Sequence, residues 1–145
     1  MNLMAVGLFC VSTLIIEGCG SHQHFPESSL TGAVFEVKIG ESISPPLVTA
    51  KRGDEVRWTN TSDGSVDVSV VQTQEGQLNC QKGFASTNLG YLFGTSDYEN
   101  IVLATVPPKG SASLCFALPG TYGYTVRRHS PTGPASNLNG SLTIE

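Results

Sequence analysis

Few side chains in this chain can do chemistry beyond packing and hydrogen bonding. The thiols are Cys10, Cys19, Cys80 and Cys115, and the imidazoles are His22, His24 and His129. His129 closes a cationic run, Arg127-Arg128-His129. An imidazole can ligate a metal or move a proton, and guanidinium groups fork onto carboxylates. No Gly-x-Ser-x-Gly elbow, no His-Glu-x-x-His and no Ser–His–Asp spacing accompanies them. The residues therefore point to binding, and the expectation is a protein that is not an enzyme.

The elements that must position His129 lie immediately before it. Leu114, Phe116 and Leu118 alternate, as do Tyr122, Tyr124 and Val126. A period of two with aromatic and β-branched residues describes strands half-buried against a core. Leu118-Pro119-Gly120 separates them, and Pro followed by Gly suits the centre of a type II turn. Residues 127–139 read as a loop holding Pro131 and Pro134, and Leu142 to Ile144 as a closing strand.

Earlier in the chain, Phe35, Val37 and Ile39 share one face of a first strand. Pro45-Pro46 marks an edge or a crossing between sheets. Leu47 to Ala50 is a short strand, and Lys51-Arg52-Gly53-Asp54 a turn. In the next strand Val56 and Trp58 face one way, and Trp58, the only Trp, is the expected core anchor. Val66, Val68 and Val70 alternate with Asp67 and Ser69. Residues 72–108 are less regular: Ile101 to Val106 reads as a strand, and Thr95 to Tyr98 suits a helix start.

Two of these stretches resemble the cupredoxin (plastocyanin-like) family. Pro119-Gly120-Thr121-Tyr122-Gly123-Tyr124 is similar to the start of its P-G-T-Y-x-Y-x-C-x-x-H-x-x-M run. Gly53-Asp54-Glu55-Val56-Arg57-Trp58-Thr59-Asn60 is similar to its G-D-x-V-x-W/F-x-N run. The resemblance covers about residues 33–145. It implies an all-β Greek-key sandwich or barrel of about 7–8 strands.

It also implies where a type 1 copper centre would stand. The thiolate position falls on Val126, the second imidazole on His129 and the axial Met on Thr132. The first imidazole falls on Asp67, or on Val66 if the alignment shifts by one residue. Such a centre needs two imidazoles and a thiolate. One of the three C-terminal positions keeps a ligand type, so the expectation is a degenerate copper site, no copper cofactor and no bound metal. The alternative is copper handling around His129, with a carboxylate such as Asp67 or the tail histidines assisting. An immunoglobulin-like sandwich is a third reading, although Trp58 precedes both Cys80 and Cys115 instead of lying between them.

The start of the chain speaks to export. Leu3 to Ile16 is apolar and has the length of a signal peptide core. Ile16-Glu17-Gly18-Cys19 resembles the bacterial lipobox, whose Cys is lipidated and becomes the mature N-terminus. Glu17, and a first segment without Lys or Arg, depart from that pattern. A signal peptide cut elsewhere is the alternative. On the lipobox reading, residues 1–18 are the signal, 19–32 a flexible tether and 33–145 the domain. Lipid at Cys19 would anchor the chain to a membrane of the bacterial cell envelope. Gly20 as the second mature residue points to the outer membrane; without the anchor, the protein would be periplasmic or secreted. His22 and His24, one residue apart in the polar tether, read as solvated.

With Cys10 in the leader and Cys19 at the anchor, Cys80 and Cys115 remain as a pair. An even remainder in an exported domain reads as one disulfide. Such a bridge over about 35 residues contributes roughly 3–4 kcal/mol on the chain-entropy account.

The totals agree with a single exported domain. The 145 residues are 39% hydrophobic and 14% charged, with 16 Gly and 8 Pro spread without a repeat, as turn-rich all-β chains are. The net charge of −4 lacks the basic excess that phosphate backbones require, so nucleic acid is not an expected partner. A protein or glycan partner is expected, with Arg127, Arg128 and His129 as the contact patch.

Overall fold

The computed structural model describes residues 30–72, 77–88, 100–129 and 135–145. Among them are eleven strands and no helix. In chain order these are β1 (Val34–Ile39), β2 (Ile43–Ser44), β3 (Leu47–Ala50), β4 (Glu55–Asn60), β5 (Val66–Gln72) and β6 (Leu78–Lys82). They continue with β7 (Ala85–Asn88), β8 (Asn100–Val106), β9 (Ser111–Phe116), β10 (Gly120–Arg128) and β11 (Ser136–Ile144). One sheet runs β2-β1-β4-β9-β6 and the other β3-β11-β10-β5-β8-β7. The two face each other as an all-β sandwich.

Eleven strands exceed the expected 7–8, in part because two stretches change sheets midway and each counts as two strands. Pro45-Pro46 separates β2 from β3, which belong to opposite sheets. It is thus a crossing, as the missing N–H groups of two prolines favour. The second crossing, Gly83-Phe84 between β6 and β7, was not legible in the sequence. Gly83 takes φ +78°, and Phe84 turns inward to meet Trp58 at 5.5 Å between ring centroids.

The core lies between the layers. Val37, Ile39, Val56, Trp58, Leu114 and Phe116 fill it from one sheet. From the other come Val66, Val68, Val70, Val102, Tyr122, Tyr124, Val126 and Leu142. Each set follows the expected alternation, since successive side chains in a strand leave on opposite faces. Trp58 is fully buried and packs edge-on against Tyr124, centroids 5.4 Å apart.

Three expectations need correction. Leu118-Pro119-Gly120 is a bend and not a type II turn: Gly120 takes φ 150° and already belongs to β10. The physical reason is that β9 and β10 lie in different sheets, so the chain must cross the sandwich instead of reversing beside itself. The loop expected at 127–139 is shorter, because β10 continues to Arg128 and pairs there with Ser136 of β11. The immunoglobulin-like bridge is also excluded. Cys80 and Cys115 are disulfide-bonded, but they face each other across the neighbouring strands β6 and β9 of one sheet.

The strands give the sandwich two distinct poles. One pole gathers the Lys51–Asp54 turn, the 117–119 bend and both ends of the described domain: Thr31 donates its N–H to Gly53 O and Arg52 to Glu145 O. The other gathers residues 40–42, 61–65, 107–110 and His129. β1, β4 and β10 all run from the first pole to the second.

Candidate functional site at the His129 pole

The floor of this pole is set by Asn60, the last residue of β4 and fully buried. Its Nδ2 donates to Gly64 O at 2.8 Å, Val106 O at 3.0 Å and Pro107 O at 3.2 Å. Its Oδ1 accepts from Ser62 N at 3.0 Å and Ser62 Oγ at 2.6 Å. A buried amide must satisfy donors and acceptor together, and here one side chain ties the 61–65 loop to the end of β8. Asn60-Thr61-Ser62 is also a glycosylation triplet, but a buried, fully engaged Asn60 is closed to modification in the folded protein.

His129 follows β10 directly. Its Nε2 lies 2.7 Å from Asp67 Oδ2 on β5, and the other carboxylate oxygen of Asp67 accepts from Thr105 Oγ1 on β8 at 2.7 Å. The pair forms because Asp67, in antiparallel register with Arg127, sits on the outward phase of β5 near the start of the His129 loop. The structure therefore brings together two of the residues singled out in the sequence, Asp67 and His129.

Val126 is not with them. It is fully buried between the sheets, in register with Val68. On β5 the inward neighbour is Val66, also buried, while Asp67 faces out. An alignment shifted by one residue, with Val66 at the first imidazole position, is the one that shares a face with Val126. Both inward positions carry hydrocarbon. Copper of type 1 does not fit these residues: a valine offers no donor atom, and Cys115 is bonded to Cys80. Thr132 and Cys19 lie outside the described residues, as do His22, His24 and the expected helix start at Thr95 to Tyr98. No group of three or more His, Cys, Asp or Glu side chains able to hold a metal occurs among the described residues.

The expected Arg127-Arg128-His129 patch is divided by the pleat of β10. Arg127 is exposed on the outer face beside Asp67, whereas Arg128 follows the inward phase of Tyr122, Tyr124 and Val126. At the end of the strand that phase opens onto a depression of about 710 Å³, lined by Gly40, Glu41, Ser62, Asp63, Arg128 and His129 among others. Arg128 Nη1 reaches across it to Glu41 O at 3.4 Å. Asp63 meets Lys109 Nζ at 3.5 Å. The tyrosines near the patch in sequence belong to the core. Burial pushes the Tyr124 phenol up to about 12, opposed in part by the Trp58 indole, which makes no well-formed hydrogen bond. Sequence reasoning missed Glu41, Ser62 and Asp63. Their only signal was position in Gly- and Ser-rich loops.

No family model and no curated protein matches this chain. Solved structures similar to it include a Cu(I) form of an amicyanin variant, 21% identical, covering 79% of this chain and 83% of that one at TM-score 0.48. A reduced form of another amicyanin variant is 19% identical, covering 81% and 87% at TM-score 0.48.

Proposed function

We propose that the chain is an exported, lipid-anchored module with a cupredoxin-like domain, serving in binding or in envelope structure without a type 1 copper centre. The observation that carries this reading is the fully buried hydrocarbon of Val126, where the motif resemblance would put the thiolate; the first imidazole falls on Asp67, or on the equally buried Val66 if the alignment shifts by one residue. The two similar motifs fall on β4 and on the 119–124 crossing into β10, and both begin at the first pole and run towards the His129 pole. Export and the anchor rest on Leu3 to Cys19.

Titration of the purified protein with Cu(II), followed by absorption and calorimetry, tests the copper part. The expected result is no intense thiolate-to-copper band and no stoichiometric uptake. A second reading, copper handling, is favoured by the nitrogen and oxygen donors that His129 and Asp67 bring within 2.7 Å. Stoichiometric Cu(II) binding abolished by His129→Ala would replace the first reading with the second. Mass spectrometry of the mature N-terminus tests the anchor, with a lipid-modified Cys19 as the expected species. An unmodified N-terminus at another residue would remove it.

A further inference from the structure

We infer that the depression beside Arg128 is a docking site for a carboxylate carried by a polypeptide partner. The inference deepens the binding-module reading and rests on it.

Arg128 is the group that selects the ligand. Its backbone is fixed by pairing with Val66 and Ser136 on either side, and Nη1 is oriented by the Glu41 carbonyl. Most of the N–H donors of a guanidinium remain after one such bond. Among the described residues no carboxylate reaches Arg128. Asp63 is turned to Lys109, and Asp67 is taken by His129 and Thr105 on the other side of β10. Residues 130–134, which follow His129, are Ser, Pro, Thr, Gly and Pro and add no acid. A charge-assisted, forked bond from an incoming carboxylate is the interaction such a group makes best.

The surroundings decide what carries that carboxylate. Pockets for small molecules are mostly apolar and enclosing. This depression is open and lined by hydroxyl groups, glycines and charges, with Val66 its apolar residue. Glu41 and Asp63 on the rim oppose a polyanion such as nucleic acid or an anionic lipid surface. Among the described residues no Trp, Tyr or Phe lines it to stack on a sugar ring, and the one imidazole, that of His129, is engaged with Asp67. A polypeptide, bringing one acidic side chain or C-terminus together with backbone groups for the hydroxyls, satisfies all of these. The Asn60 network holds the 61–65 wall in place beforehand, which limits the ordering cost on binding. The described residues begin at the opposite pole, where Thr31 donates its N–H to Gly53 O.

The test is fluorescence anisotropy of the full chain, purified in detergent, with a labelled, C-terminally amidated hexapeptide holding a single Glu among Ser residues. A Gln-for-Glu peptide and a phosphoserine peptide serve as controls. Saturable binding of the Glu peptide is expected, weakened roughly tenfold or more by Arg128→Met and about twofold or less by Arg127→Met. Arg128→Lys should recover part of the loss, and thermal melts of each variant should match the parent. Equal losses in the two Met variants, tighter binding of the phosphoserine or Gln peptide, or no saturation with any peptide would each overturn the inference. The copper titration remains independent: a copper-binding result removes the module reading, whereas a failed peptide titration with no copper uptake removes this inference alone.

Discussion

Gly140 stands directly across the sheet from Tyr124, and the space that a Cβ would need there is filled by the Tyr124 ring. The Cβ would lie 2.6 Å from Tyr124 Cε1 and nearer still to Cζ and the hydroxyl. That ring is buried against Trp58, so it has no room to yield. Gly140→Ala should therefore destabilise by about 1–3 kcal/mol, the usual cost of overpacking. Gly123→Ala is the control: it lies on the same strand pair with nothing within 4 Å, and should be close to neutral. Urea denaturation of the two variants checks this, and equal effects would refute the steric account.

Asn60 supports a larger loss. Asn60→Ala removes the donor for Gly64 O, Val106 O and Pro107 O, and the acceptor for Ser62. Leaving buried polar groups unpaired costs about 1–3 kcal/mol each, less where water can enter. We expect about 2–4 kcal/mol in total, with faster amide exchange at Ser62 than in the parent. A stability change without faster exchange would mean that Asn60 packs but does not hold the loop.

The Cys80–Cys115 bridge closes a separation of 35 residues. Replacing both by Ser should lower stability by roughly 3–4 kcal/mol. Reduction of the parent should give a similar loss. An unchanged melting temperature after reduction would count against the bridge.

Alkaline pH should reveal the buried phenols. Tyr122 is raised in the same direction as Tyr124, which reaches about 12 against an ordinary value of 10.0. Below about pH 10 both chain states keep the proton and stability is intact. Between about 10 and 12 the unfolded chain has lost a proton that the native chain retains, so stability falls as pH rises. Tyr124→Phe should flatten that fall in urea titrations taken across the range. An identical slope in the variant would remove Tyr124 as its source.

The His129–Asp67 pair should contribute little to stability despite its 2.7 Å contact, because the His129 side chain is half exposed. A double-mutant cycle with His129→Ala and Asp67→Asn should give about 0.2–1 kcal/mol of coupling. A coupling well above that would show that the pair pins the β10 end to β5.

The strands were legible where one face is buried and the other wet, since alternation then records the pleat. Val66, Val68 and Val70, or Tyr122, Tyr124 and Val126, could be placed by inspection. The crossing at Gly83-Phe84 was not, because a single glycine and one aromatic residue leave no periodic trace. At the site, Asp67 and His129 were legible as residues but not as a pair. Their contact depends on the β5–β10 register, which no local pattern encodes. The division between Arg127 and Arg128 was hidden for a related reason: the strand ran further than its prolines suggested, and one more residue of pleat turns a side chain to the other face.

The two sheet-changing strands have a consequence for the exterior of the molecule. The outermost strands of one sheet are β2 and β6, and those of the other are β3 and β7. Each outermost strand of the first sheet thus continues covalently into an outermost strand of the second. The seams that a flat sandwich would leave open are stitched by the chain itself, and the stitching strands are only 2 to 5 residues long. Strand-by-strand addition of other molecules needs a long, straight and unpaired row of backbone groups. Among the described residues the outermost strands offer only short rows, and so the same corners that shape the core oppose fibrous self-association.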